Sequence, residues 1–225
     1  MSQRSSGGGL SDLEKDALAE LGTIGAGGAT TALSQMLGDR LVRMSSPRVE
    51  VVPLAHLPER VGPADELAAA VYVRLDGDLK GSMALVIPEA AARSLLLAIL
   101  PEDLPGASAT IREDVPMGER TPGDMAASAL MEVGNIVVSA YLNAMSEITG
   151  LKLVPSVPSV ATDMVYALIA SILAESPPTD DQVLTIDTHF ETEGASVGGE
   201  MIFLPAEGHL TRLLDALGVT GEESS

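Results

Sequence analysis

The pattern of apolar and polar positions divides the chain into two long helical stretches, each followed by strands and a shorter helix. The first helix opens at Ser11, placed to form a capping box with Glu14, and runs to about Leu37, where Gly38 stops it. Gly25, Gly27 and Gly28 interrupt its middle. Each glycine costs roughly 1 kcal/mol relative to Ala in a helix, so close helix packing is expected there. Residues 41–55 alternate around Pro47 and predict an extended strand with a bend. Residues 67–75 and 81–87 predict strands joined by an Asp76-Gly77 hairpin turn, and Pro88 starts a helix to about Leu100.

Residues 101–120, rich in Pro, Asp and Glu, predict a linker. Thr121 as N-cap, Pro122 at the first helical position and Asp124 in the first turn then open the second long helix, which ends near Gly150. Residues 151–160, with Pro155 and Pro158, predict an extended segment. Residues 164–174 are apolar throughout, and a buried strand or a helix fits equally well. Residues 183–191 and 197–204 predict a hairpin, after which Pro205 starts a last helix ending near Gly218.

The two halves repeat each other. Residues 16–23 read Asp-Ala-Leu-Ala-Glu-Leu-Gly-Thr and residues 128–135 read Ser-Ala-Leu-Met-Glu-Val-Gly-Asn, an offset of 112 that pairs Glu20 with Glu132 and Gly22 with Gly134. Gly81 precedes Pro88 by seven positions, Gly198 precedes Pro205 by seven, and Arg93 and Arg212 fall in the helices that follow. The expected fold class is α/β (α+β): a duplicated, pseudo-twofold helix–strands–helix unit, about 10–100 and 121–218, sharing one mostly antiparallel sheet with both long helices on one face. Residues 1–9 and 219–225 read as flexible tails of a single domain spanning 10–218.

Composition narrows the function classes. A net charge of −19 excludes a nucleic-acid-binding role, which needs clustered Lys and Arg, and disfavours anionic membrane surfaces. Only three lysines occur, which fits a high-salt cytoplasm or ordinary acidic drift. With 46% hydrophobic residues the chain is not disordered, and without Cys it has no disulfide or thiolate metal site. No signal peptide is expected in the Ser- and Gly-rich start, and residues 133–146 are too short and polar for membrane insertion. His56, His189 and His209 lack ligand spacing, so no metal site is expected. Gly194-Ala-Ser-Val-Gly198 fits a nucleophile-elbow pattern but lies between two predicted strands, where a hairpin turn is the better reading. The glycines of 22–28 resemble a phosphate-cradling loop without its Lys-Ser/Thr ending, so a packed helix is preferred.

The stripe of Ser128, Glu132 and Asn135 remains, spaced i, i+4, i+7 on one helix face. A single such stripe is ordinarily a solvated face. Here Glu and Gly recur in register in both halves, and each stripe is followed by a proline: Pro158 is 23 positions after Asn135, and Pro47 is 24 after Thr23. Asp/Ser, three residues, Glu, two residues, Asn and a distant Pro is the signature of the CheC/CheX/FliY phosphatases of chemotaxis, which the chain resembles over roughly residues 10–218. The segments 10–27 and 48–54 resemble the CheC branch most, and the two-site length without an appended FliN-like domain points the same way.

The resemblance implies a cytoplasmic enzyme that removes the phosphoryl group from phosphorylated CheY, with CheD as a further partner. It implies that Asn135 inserts into the regulator's site and orients water, while Glu132 reaches the regulator's lysine. Ser128 and Pro158 would play supporting parts. The chain would need no cofactor of its own, Mg²⁺ being held by the CheY partner. In the first half Asp16, Glu20 and Pro47 match the pattern, but Thr23 replaces the amide, so a weak or dead second site is expected. That loss also leaves open an adaptor that binds CheD or senses phosphorylated CheY with little turnover.

Overall fold

Two 25-residue helices dominate the architecture: α1, Asp12–Met36, and α4, Met125–Thr149. The capping box opens α1 as expected: Ser11 Oγ accepts from the Glu14 backbone at 3.2 Å, and the Glu14 carboxylate accepts from the Ser11 backbone at 2.8 Å. Gly38 (φ +69°) and Gly150 (φ +70°) follow the two helices in left-handed conformations. The computed structural model describes residues 10–45, 47–99, 125–175, 181–192 and 195–219. The expected linker 101–120, the cap formed by Thr121, Pro122 and Asp124, and the tails 1–9 and 220–225 lie outside the described residues.

Between the helices run β1 (Arg43–Met44), β2 (Arg48–Pro53), a 3₁₀ turn (Leu54–His56), α2 (Leu57–Val61), β3 (Leu67–Gly77), β4 (Gly81–Pro88) and α3 (Glu89–Ile99). After α4 come β5 (Leu153–Pro155), β6 (Ser159–Met164), α5 (Val165–Glu175), β7 (Gln182–Thr192), β8 (Ala195–Pro205) and α6 (His209–Ala216). The eight strands form one sheet in the order β1–β7–β8–β4–β3–β5, with β2 also on β7 and β6 also on β3. Every pairing is antiparallel. At its centre β4 pairs with β8, Met83 opposite Phe203 and Gly81 opposite Pro205. The arm that follows each long helix crosses to the other half: β1 and β2 pair with β7, while β5 and β6 pair with β3.

Strand alternation sorts the core into two layers. Val73, Leu75, Met83, Leu85, Leu184, Ile186, Met201 and Phe203 pack beneath α1, α3, α4 and α6. Ala70, Tyr72, Val86, Val183, Ile202 and Leu204 face the opposite side, under α2 and α5. The expected placement of both long helices on one face holds. The glycines of α1 divide by environment. A Cβ on Gly25 would strike the buried ring of Tyr141 on α4, and one on Gly28 would stand 3.5 Å from Ala140 Cβ. Gly27 meets nothing within 4 Å, so close packing does not account for it.

One open alternative is resolved, and three local expectations need correction. The apolar stretch from 164 is the helix α5, because Val165, Leu168, Ile169 and Ile172 form one buried stripe while Tyr166 stays exposed. Residues 41–55 are two strands and the start of a 3₁₀ turn leading into α2 rather than one bent strand. The β3–β4 turn lies beyond Asp76-Gly77: both residues still pair, with Val154 and Leu153, and the chain reverses through Asp78, Leu79 and Lys80. Pro205 ends β8 opposite Gly81 rather than opening a helix; α6 begins only at His209, after Gly208.

Candidate functional site

α4 is held to the sheet at the turn that carries the candidate residues. Gly134 is buried, and a Cβ there would collide with the side chain of Val71 on β3. Val133, Val137 and Val138 are buried on the same side. That anchorage rolls the opposite face outward. Ser128 and Glu132 are exposed and Asn135 is half-buried, so the three share one accessible stripe. Ser139 extends it by one turn, with its hydroxyl 3.4 Å from Asn135 Oδ1. The stripe borders an open groove of about 490 Å³ between α1 and α4, lined by Asn135, Ser139, Asn143 and Glu147 on one wall and Ile24, Gly28 and Ala32 on the other.

Pro158 stands just before β6, where Val160 pairs with Val71, the residue beneath Gly134. The approach to Pro158 is pinned to β3. Ser156 N donates to Arg74 O at 2.8 Å, and Arg74 N donates to Ser156 Oγ at 3.0 Å. Asn135 and Pro158 are therefore carried by segments that share one point of attachment, although 23 residues separate them. Val157, between Ser156 and Pro158, is 88% exposed.

The first half repeats the stripe with different chemistry. Gly22 is buried against Pro47 and Val49 of its own arm, whereas Gly134 is buried against Val71 on β3. Asp16, Glu20 and Thr23 are exposed on one stripe, and Pro47 borders a groove of about 420 Å³ that also includes Thr23, Gly27, Thr30, Arg43 and Ser45. Thr23 does not present a free donor to that groove. Its Oγ1 donates back to Ala19 O at 2.9 Å, the usual internal bond of a helical threonine. Where Asn135 offers an amide with two N–H donors, this site offers a hydroxyl whose single donor is occupied.

Residues set aside from the sequence fall as ordinary structure. Ser196 belongs to β8, opposite Glu191 on β7, and its hydroxyl lies 2.9 Å from His189 Nε2 on the exposed β7–β8 hairpin. His209 Nδ1 accepts from Lys80 N at 3.1 Å. Among the described residues no three His, Asp or Glu side chains are grouped so as to hold a metal ion. None of the described helices is long and apolar enough to cross a membrane. Two features of the sites were not read from the sequence. Ser139 was visible in principle, as the i+4 neighbour of Asn135, whereas Arg43 reaches the Thr23 groove only through the return of β1 past α1.

Comparison with known proteins fits this construction. The model of the CheC-like family matches residues 13–51 and 125–161, the two helix-and-arm segments that carry the stripes. The chain is 32% identical over 214 residues to the CheY-P phosphatase CheC of Bacillus subtilis, covering 94% of this chain and 97% of that one. It is 27% identical over 151 residues to the flagellar motor switch phosphatase FliY of the same organism, covering 67% of this chain but only 36% of that longer protein. Its fold is similar to the crystal structure of Thermotoga maritima FliY, with a TM-score of 0.67 at 20% identity, covering 94% of this chain and 99% of that one. The chain belongs to the CheC-like family.

Proposed function

We propose that this protein is a phosphatase of phosphorylated CheY that places a water molecule for hydrolysis of the regulator's aspartyl phosphate. The observation that carries this reading is the accessible stripe on α4 that holds exposed Glu132 and half-buried Asn135. It stands in a chain 32% identical over 94% of its length to a protein named for that activity. In the reaction the water oxygen attacks phosphorus in line, the bond from phosphorus to the aspartyl oxygen breaks, and the carboxylate leaves. Water gives its proton to the phosphate formed or to solvent. Mg²⁺ and most of the charge stabilisation belong to the regulator.

What remains for the phosphatase is to place the water, and an amide suits that task. It is neutral, and it both donates and accepts hydrogen bonds. A carboxylate at position 135 would repel the phosphoryl oxygens. Glu132, almost a turn earlier on the same stripe, would pair with the regulator's lysine and fix the docking geometry. Ser128 would border the docked surface, and Pro158 would shape the chain beside it. The decisive experiment follows loss of phosphate from phosphorylated CheY with the wild type and with Asn135→Ala. The variant should be slower by up to about 10²- to 10³-fold, the usual effect of losing one well-placed donor. Equal rates overturn the assignment.

A second reading is favoured by the Thr23 site, where the hydroxyl standing in for the amide is turned back to Ala19 O. In it the chain acts mainly as an adaptor that binds CheD or senses phosphorylated CheY. Pull-down with CheD and with CheY, phosphorylated and not, separates the two: binding without any gain in phosphate release supports the adaptor.

A further inference from the structure

Several helical hydroxyls of this protein bond to the carbonyl one turn behind them. Thr23 donates to Ala19 O at 2.9 Å, Thr30 to Ala26 O at 2.8 Å, Thr31 to Gly27 O at 2.9 Å and Ser94 to Ala90 O at 3.0 Å. Ser139 instead turns along the stripe toward the Asn135 amide oxygen, 3.4 Å away. The last torsion of an asparagine is broad, so an unsupported carboxamide turns readily. A donor on Oδ1 removes that freedom. The oxygen faces Ser139, and the NH₂ group faces away with both donors open.

The first half provides an internal contrast. The position 112 before Ser139 is Gly27, which has no side chain and has open space around it. Thus the half in which Thr23 replaces the amide also lacks the hydroxyl one turn beyond, and close packing does not explain the glycine. The two differences fall on one stripe.

We propose that Ser139 is a positioning residue for the phosphatase reaction: its hydroxyl holds the Asn135 amide with the NH₂ outward before the regulator docks. This inference rests on the phosphatase reading of Asn135. A separation of 3.4 Å is long for a hydroxyl donor, the loose geometry expected of such a contact before a partner docks. Preorganisation of this kind acts on turnover rather than on docking, because the orientation entropy is lost before the reaction.

The test is steady-state phosphate release from phosphorylated CheY with wild type, Asn135→Ala and Ser139→Ala, beside an NMR order parameter for the Asn135 side-chain amide. Ser139→Ala should lower kcat about two- to tenfold, the worth of one ordinary hydrogen bond, with KM unchanged. The amide order parameter should fall, while the thermal midpoint stays at the wild-type value. A slow Asn135→Ala beside a Ser139→Ala with wild-type kcat and an equally rigid amide overturns the positioning role and leaves the phosphatase reading intact. An Asn135→Ala as fast as wild type overturns both. A Ser139→Ala effect seen only in KM also overturns positioning, since it assigns the hydroxyl to docking.

Discussion

Gly28 on α1 faces Ala140 on α4, its own counterpart 112 positions later, with a Cβ-to-Cβ approach of 3.5 Å were Gly28 an alanine. The pseudo-twofold axis of the duplication therefore passes through this contact. From Gly25 to Gly28 the opposing residue steps back from Tyr141 to Ala140, so the helices pass each other in opposite senses. Thr23 and Asn135 each lie five positions before their crossing residue and diverge from it in opposite directions. At 1.5 Å per residue the two stripes stand roughly 15 Å apart along the helix axes. The protein presents two separate stripes, each bordering its own groove, and the residues of one can be exchanged without touching the other.

That independence makes the first half a place to build activity. In the Asn135→Ala background, the double change Thr23→Asn and Gly27→Ser restores an amide and its one-turn neighbour on a stripe that already carries Glu20. Phosphate release from phosphorylated CheY should rise at least about tenfold over Asn135→Ala alone, part of the 10²- to 10³-fold value of such a donor. No rise would mean that the first scaffold has lost more than two side chains.

Glu132 should act on docking. Glu132→Ala is expected to raise KM for phosphorylated CheY about tenfold, with a smaller change in kcat, and to weaken the salt dependence of association. Rates measured across substrate concentration at two ionic strengths check this. A fall confined to kcat would give Glu132 a part in the chemistry instead.

The glycines of α1 predict opposite stability effects from one substitution. Gly25→Ala drives a methyl into the fully buried Tyr141 ring and should destabilise the protein by about 1–3 kcal/mol. Gly27→Ala enters open space and should stabilise it by about 0.5–1 kcal/mol through helix propensity. Denaturant midpoints of the two variants decide the matter, and a destabilised Gly27→Ala would show that this position needs its glycine for another reason.

A buried carboxyl on the far face sets a pH dependence. Glu200, 7% exposed on β8, has its pKa pushed up to about 7 by burial, against the pull of the Arg60 guanidinium 3.7 Å away. Asp187 and Glu50 add to the upward push, and Arg60 also pairs with Glu50 at 3.0 Å. The folded state therefore keeps this proton at pH values where the unfolded chain has released it. Stability from this group should fall as pH rises from about 4.5 to about 7, by up to about 1.4 kcal/mol per unit, and level off above. Urea melts of wild type and Glu200→Gln at pH 5.5 and pH 8 test it. The glutamine variant should lose less stability between the two, and parallel curves would remove Glu200 as the cause.

Much of the fold was legible because its signals were local. The capping box at Ser11 and Glu14, the left-handed glycines 38 and 150, and the repeat of Glu and Gly at one offset led to two long helices and one shared sheet. The stripe of Ser128, Glu132 and Asn135 is accessible, as its spacing suggested. What could not be read depended on distant partners. Pro88 adjoins a helix and Pro205 does not, although both follow a glycine by seven positions; beyond Pro205 the chain first bonds back through Ala206 N to Lys80 O. The apolar run from 164 was ambiguous because its outward positions include Ala167, Ala170 and Ala174, which give little polar contrast. The attachment of Pro158 near Asn135 arises through Val71, a residue in the opposite repeat.

The crossing of β2 to β7 and of β6 to β3 means that the repeats have traded arms. Neither copy is a self-sufficient folding unit: taken alone, each would expose a bare strand edge and lack the limb that covers it. A severed half could regain its lost limb only from a twin, as a swapped homodimer with two identical sites. In the single chain the clasp outlives that symmetry, leaving one stripe free to drift while the other keeps its amide.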